Sequence, residues 1–91
     1  MWYLYLVRCG DGSLYTGIST DVARRFEAHT QNRGARRLRG RGPLQLVYSE
    51  AVGDRRQALR LEYRVKRLSK AEKERLVRGE LGLPRVDPEP A

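Results

Sequence analysis

Two short apolar runs, residues 2–8 (WYLYLVR) and 14–19 (LYTGIS), flank the stretch CGDGS. Such runs on either side of a glycine turn predict an antiparallel β-hairpin. After it, Thr20 is a plausible N-cap, Asp21 complements the dipole of a first helical turn, and Val22 and Phe26 recur at i, i+4. This predicts a helix over about 21–31, ending before Gly34. The stretch GARRLRGRGP (34–43) is a Gly-punctuated basic loop, with one helical turn expected around Arg36–Arg39. Residues 44–52 begin as alternation and predict a third strand. Asp54 followed by Gln57 resembles a capping box, and Ala58, Leu61, Val65 and Leu68 behind it form one helical stripe. Ser69 and Glu72 form a second capping box, opening a last helix to about Arg78, with Gly79 as its stop. The order ββαβαα predicts an α+β fold: a small three-stranded antiparallel sheet flanked by helices. Residues 1–80 make the domain. Residues 81–91, rich in proline and poor in apolar pattern, are expected to be a loose tail.

Composition narrows the class. Ninety-one residues bound one core and one domain. Cys9 is the only cysteine, which excludes an internal disulfide and Cys-rich zinc sites. No apolar run approaches the ~18 residues of a membrane span, and Trp2 already starts a strand pattern, so no membrane partner and a cytoplasmic location are expected. Nineteen Lys plus Arg against eleven Asp plus Glu give a net charge of +8, the footprint of a polyanion-binding domain.

Few residues are candidates for chemistry. Glu62 is the only acid between Asp54 and Glu72, and at 100° per residue it borders the apolar stripe of its helix. A carboxylate so placed among arginines suits one Mg²⁺ that keeps its waters and adds substrate phosphate. The plainer alternative is an i, i+4 ion pair with Lys66, worth ~0.2–0.5 kcal/mol. Arg25 and His29 share one helix face. An arginine at that rim can clamp a phosphate through two parallel hydrogen bonds. A histidine there either assists proton transfer or satisfies the helix end.

Taken in order, these residues resemble the GIY-YIG nuclease superfamily in its small single-domain, UPF0213-like form. Tyr3-Leu4-Tyr5 stands where the first triplet belongs, Tyr15-Thr16-Gly17 where the second does, and Arg25 and His29 follow on the next helix. ALRLEYRVKRLSK resembles the helix that bears the family's metal-binding glutamate, which assigns that role to Glu62. The resemblance covers about residues 2–79. It implies the GIY-YIG fold and a one-metal endonuclease using Mg²⁺ or Mn²⁺ to hydrolyse DNA phosphodiesters in repair or processing. Tyr5 would then orient or deprotonate the nucleophile, Tyr15 would hydrogen-bond phosphate or water, and Arg25 would stabilise the transition-state charge. A phenol can act as a base only where a nearby cation lowers its pKa. Gly17 would let substrate or a helix approach the backbone. Arg36, Arg37, Arg39 and Arg41 would hold nucleic acid without taking part in the chemistry.

Two other readings compete. One is a catalytically weak module that binds structured DNA or RNA, favoured by the basic loop and by the lack of any asparagine after Asn32. The other is a subunit docking a larger repair protein. A two-tyrosine site makes a geometric demand: strand period is two, so Tyr5 and Tyr15 share a face only if paired positions sum to an even number. That predicts an odd-length hairpin loop or a bulge.

Overall fold

The computed structural model describes residues 1–84. Strands β1 (Trp2–Arg8) and β2 (Leu14–Ser19) precede helix α1 (Val22–Thr30) and a 3₁₀ turn at Arg36–Leu38. Strand β3 (Gln45–Gly53) and helices α2 (Arg55–Lys66) and α3 (Lys70–Val77) follow. The sheet is antiparallel with order β2-β1-β3, so the first strand is the central one. This is the α+β order read from the sequence.

Being central and covered on both faces, β1 is buried continuously from Leu4 to Val7. Leu4 and Leu6 point to one face and join Val65 of α2 and Leu76 of α3 in the main core cluster. Tyr5 and Val7 point to the other face, where Tyr5 meets His29 of α1. Arg8 lies opposite Leu14, which leaves residues 9–13 as an odd-length loop with Gly12 at φ 88°. Tyr5 pairs with Gly17 and Val7 with Tyr15, so the two tyrosines share a face as the parity argument requires.

The helix ends follow their capping residues. Asp54 and Ser69 each close a capping box, with Gln57 and Glu72. The first helix starts one residue later than expected: Asp21, not Thr20, is its N-cap, accepting a hydrogen bond from the Arg24 amide. Gly79 follows α3 at φ 76°, the left-handed conformation of a helix stop. Arg8 anchors the hairpin to α3 through two hydrogen bonds to Glu74, of 2.7 and 2.6 Å. Lys70 joins them, 3.0 Å from both Glu74 and the Gly12 carbonyl.

The start of the expected loose tail is not loose. Leu83 packs against the Leu4–Leu6–Val65–Leu76 cluster, an apolar contact made by a single residue without any periodic pattern. The rest of the 81–91 tail lies outside the described residues from position 85 on. Among the described residues no helix is long and apolar enough to cross a membrane.

Candidate nucleic-acid-cleaving site

Three aromatic rings meet on the Tyr5 face of the sheet. The ring centroids of Tyr5 and Tyr15 are 6.4 Å apart, those of Tyr5 and His29 6.0 Å, and those of Tyr15 and His29 5.7 Å in an edge-on arrangement. His29 is 1% exposed and Tyr5 1%. The Tyr5 hydroxyl lies 2.9 Å from His29 Nε2, and the Ala35 amide donates to His29 Nδ1 at 3.1 Å. These two contacts settle the tautomer. A backbone N–H can only donate, so Nδ1 is the acceptor and the ring proton sits on Nε2. His29 therefore donates to the Tyr5 oxygen, leaving the phenolic hydrogen free for a further acceptor. Burial first, then the nearby Arg25 charge, hold the imidazole pKa below its ordinary 6.5, so the ring is neutral at neutral pH.

Two glycines make room for this pair. A Cβ on Gly17 would lie 2.5 Å from the Tyr5 hydroxyl and 2.6 Å from Cζ. A Cβ on Gly34 would run into the His29 ring. The space beside Gly17, expected to admit substrate or a helix, is thus filled by the Tyr5 side chain of the neighbouring strand. No local pattern announces this, because the neighbour is supplied by strand register.

Arg25 and Glu62 lie within electrostatic reach of both phenols. Burial pushes Tyr5 up to about 12, with Tyr15 adding to the rise, Arg25 pulling down and Glu62 pushing up. Tyr15 is raised as well, by burial first, against the lowering charges of Arg25 and Arg37. The condition for a phenolic base, a pKa lowered by a nearby cation, is not met at Tyr5 because desolvation outweighs Arg25. Glu62 is at the half-buried border of α2, its carboxylate 3.6 Å from Lys66 Nζ. The ion pair considered from spacing is therefore formed, and the Glu62 charge still acts on both phenols.

The basic loop divides. All four arginines are exposed, but Arg37 and Arg41 border a pocket that also touches Tyr15, whereas Arg36 and Arg39 do not line it. Arg41 also sits 3.7 Å from Asp11. Sequence reasoning missed Lys73 and Thr16, which line the same pocket. It missed as well the Ala35–His29 link, which depends on a loop folding back.

The donor set for a metal is oxygen only: one carboxylate with two phenols nearby. Among the described residues no cluster of three or more His, Cys, Asp or Glu exists. That excludes a closed protein cage there, but it suits a hard cation such as Mg²⁺, which keeps several waters and needs one or two carboxylates plus phosphate oxygens.

Residues 1–75 match the family model of the GIY-YIG catalytic domain, and the chain belongs to that family. It is 60% identical to a UPF0213 protein of Cronobacter sakazakii over 88% of this chain and 84% of that one. A UPF0213 protein of Klebsiella pneumoniae is 62% identical over 87% of this chain and 74% of its own length. The solution NMR structure of a UPF0213 protein from Bacillus halodurans superimposes with a TM-score of 0.56 at 47% identity, covering 90% of this chain and 88% of that one.

Proposed function

We propose that the protein is a metal-dependent endonuclease that hydrolyses DNA phosphodiester bonds in the cytoplasm, in repair or processing, with Tyr5, Tyr15, Arg25, His29 and Glu62 around the scissile phosphate. The observation that carries this is the convergence of Tyr5, Tyr15 and His29 on one sheet face, within electrostatic reach of Arg25 and Glu62. Glu62 would hold one Mg²⁺ or Mn²⁺, which when bound supplies Lewis-acid neutralisation of phosphate charge.

The chain's own groups then divide the work. His29 donates from Nε2 to the Tyr5 oxygen and fixes the phenol. Tyr5 remains protonated in the free protein and its hydrogen is not taken up by His29, so it would orient the attacking water or a phosphate oxygen by donation. Both His29 nitrogens are engaged, so its role is to position Tyr5. Arg25 offers a planar fork to two phosphate oxygens as charge builds on them. Tyr15 supplies a second phenolic donor, half in solvent.

The test is cleavage of plasmid, single-stranded, branched and RNA substrates with Mg²⁺, Mn²⁺ or EDTA. Metal-dependent cutting that disappears in Glu62→Gln is the expected result. Because the pair that Glu62 makes with Lys66 is partly exposed, the same exchange should alter stability by no more than ~1 kcal/mol. No cutting of any substrate with any metal would replace the enzyme with a binding module. Cutting undiminished in Glu62→Gln would place the activity elsewhere.

A further inference from the structure

A pocket of about 200 Å³ opens next to the tyrosine site, with Tyr15 in the wall of both. It brings together side chains from four parts of the chain: Thr16 of β2, Arg37 and Arg41 of the basic loop, Lys66 at the end of α2, and Lys73 of α3. The Gly10 amide donates to the Arg41 carbonyl at 2.9 Å and holds that loop against the hairpin turn. The volume is below the ~300–1,000 Å³ of clefts that enclose a drug-sized molecule, so it suits a compact group.

Two features of the pocket call for an anion. No carboxylate lines it, although four cations do. Asp11 and Glu62 approach Arg41 and Lys66 from outside at 3.7 and 3.6 Å, but among the described residues no carboxylate pairs with Arg37 or Lys73. Lys73 is half-buried, where an ammonium without a counter-charge is costly. Independently, Thr16 is 2% exposed and its Oγ1 has no hydrogen-bond partner. A buried hydroxyl left unpaired is an exception that calls for a partner, and an anion seated beside it is one that the surrounding cations favour.

We propose that this pocket seats a second phosphate group of the bound polynucleotide, one place along the strand from the phosphate at Tyr5 and Glu62. Arg37, Arg41, Lys66 and Lys73 share its charge, and Thr16 donates its hydroxyl. This rests on the nuclease reading for the first phosphate. It departs from a diffuse basic loop, because Arg36 and Arg39 take no part and two lysines from the C-terminal helices do.

The experiment measures binding of a fluorescent single-stranded oligonucleotide by the full chain in EDTA, across a salt series. Four cations on one phosphate make a distinctive signature. Arg37→Gln with Lys73→Gln should weaken binding about tenfold or more, since charge-assisted hydrogen bonds are the strong ones. The log–log salt slope should fall by less than about 0.7, the value for one phosphate on a single strand, because Arg41 and Lys66 still neutralise it. Adding Arg41→Gln and Lys66→Gln should lower affinity again and bring the total fall in slope to about 0.7 and no further. Thr16→Val should weaken binding several-fold while the melting temperature holds or rises, because the orphan hydroxyl is gone. Inorganic phosphate should compete with the parent more effectively than with the double variant. Equal affinity for hydroxyl-ended and 5′-phosphorylated strands assigns the group to an internal diester, and tighter binding of the latter assigns it to a strand end. A slope that falls by about 0.7 for each cation removed would mean four separate phosphates and overturn the proposal. Unchanged binding by the Thr16 and double variants would overturn it too. Failure of the wild-type chain to cleave refutes the nuclease alone, because this binding is measured without metal.

Discussion

Gly17→Ala tests the packing that holds Tyr5 in place. The backbone at Gly17 is not in the left-handed region, so only the neighbouring side chain opposes a methyl group there. That methyl would sit 2.5 Å from the Tyr5 hydroxyl, 2.6 Å from Cζ and 3.0 Å from Cε1. Ordinary contacts start near 3.4 Å, so the ring has to shift by the better part of an ångström. Overpacking of a fully buried residue costs about 1–3 kcal/mol. Losing the Tyr5–His29 hydrogen bond adds about 0.5–1.5 kcal/mol. Alanine restricts the unfolded chain, which offsets about 0.4–1 kcal/mol. The net loss is about 0.5–4 kcal/mol, a fall in melting temperature of at least about 2 °C for a domain of this size. Thermal unfolding followed by circular dichroism reads it. Combining Gly17→Ala with Tyr5→Phe sharpens the test, because phenylalanine lacks both the closest atom and the tether to His29. The double variant should be more stable than the sum of the singles predicts, by about 0.5 kcal/mol or more. Additive losses, or Gly17→Ala melting at or above the parent temperature, would refute the fit of Tyr5 against the Gly17 backbone.

Arg25→Lys should cut the cleavage rate at least about tenfold with little change in melting temperature, since an exposed point charge cannot reproduce a two-pronged contact; rates at saturating substrate decide it. The Glu74 carboxyl, held by Arg8 first and Lys70 second, is lowered from 4.5 to about 2. Its contribution is therefore present above pH 4.5 and lost as pH falls toward 2. Glu74→Gln should flatten the acid limb of a stability–pH profile over that window, and an unchanged limb would count against the clasp. Truncation after Gly79 removes Leu83 from the core cluster and should cost about 1 kcal/mol, part of the value for full burial of a leucine; urea denaturation of the shortened chain would show it.

Local rules located most of the fold. The capping boxes at Asp54 and Ser69 and the glycine stop at Gly79 depend on residues three or four apart, and all three lie where spacing puts them. The shared face of Tyr5 and Tyr15 was a demand of the two-tyrosine site, which period two turned into an odd-length loop, and the register meets it. The features that stayed hidden depend on what a register or a returning loop brings alongside. Gly17 is read from sequence as permissive backbone, yet the atom it accommodates belongs to Tyr5 on the next strand. The Ala35 amide reaches His29 only because the loop after α1 turns back, and Lys73 reaches the Thr16 pocket only because α3 folds across the sheet. The sign of the Tyr5 shift was illegible for a similar reason. An arginine nearby could be expected from spacing, but the depth of burial that outweighs it could not.

The order β2-β1-β3 has a consequence for how the chain matures on the ribosome. The strand synthesised first is the one that ends in the middle, and its Leu4 and Leu6 are covered by Val65 and Leu76, near the end of the described chain. The Arg8–Glu74 clasp spans 66 positions. Contacts so distant in sequence cannot reward chain closure until both ends exist. While α3 is still in the exit tunnel, the emerging hairpin has Tyr5 and Tyr15 but lacks the helices that press its other face flat. Assembly of this domain therefore waits until α3 has emerged, and a shorter nascent fragment carries the tyrosines without the framework that aims them.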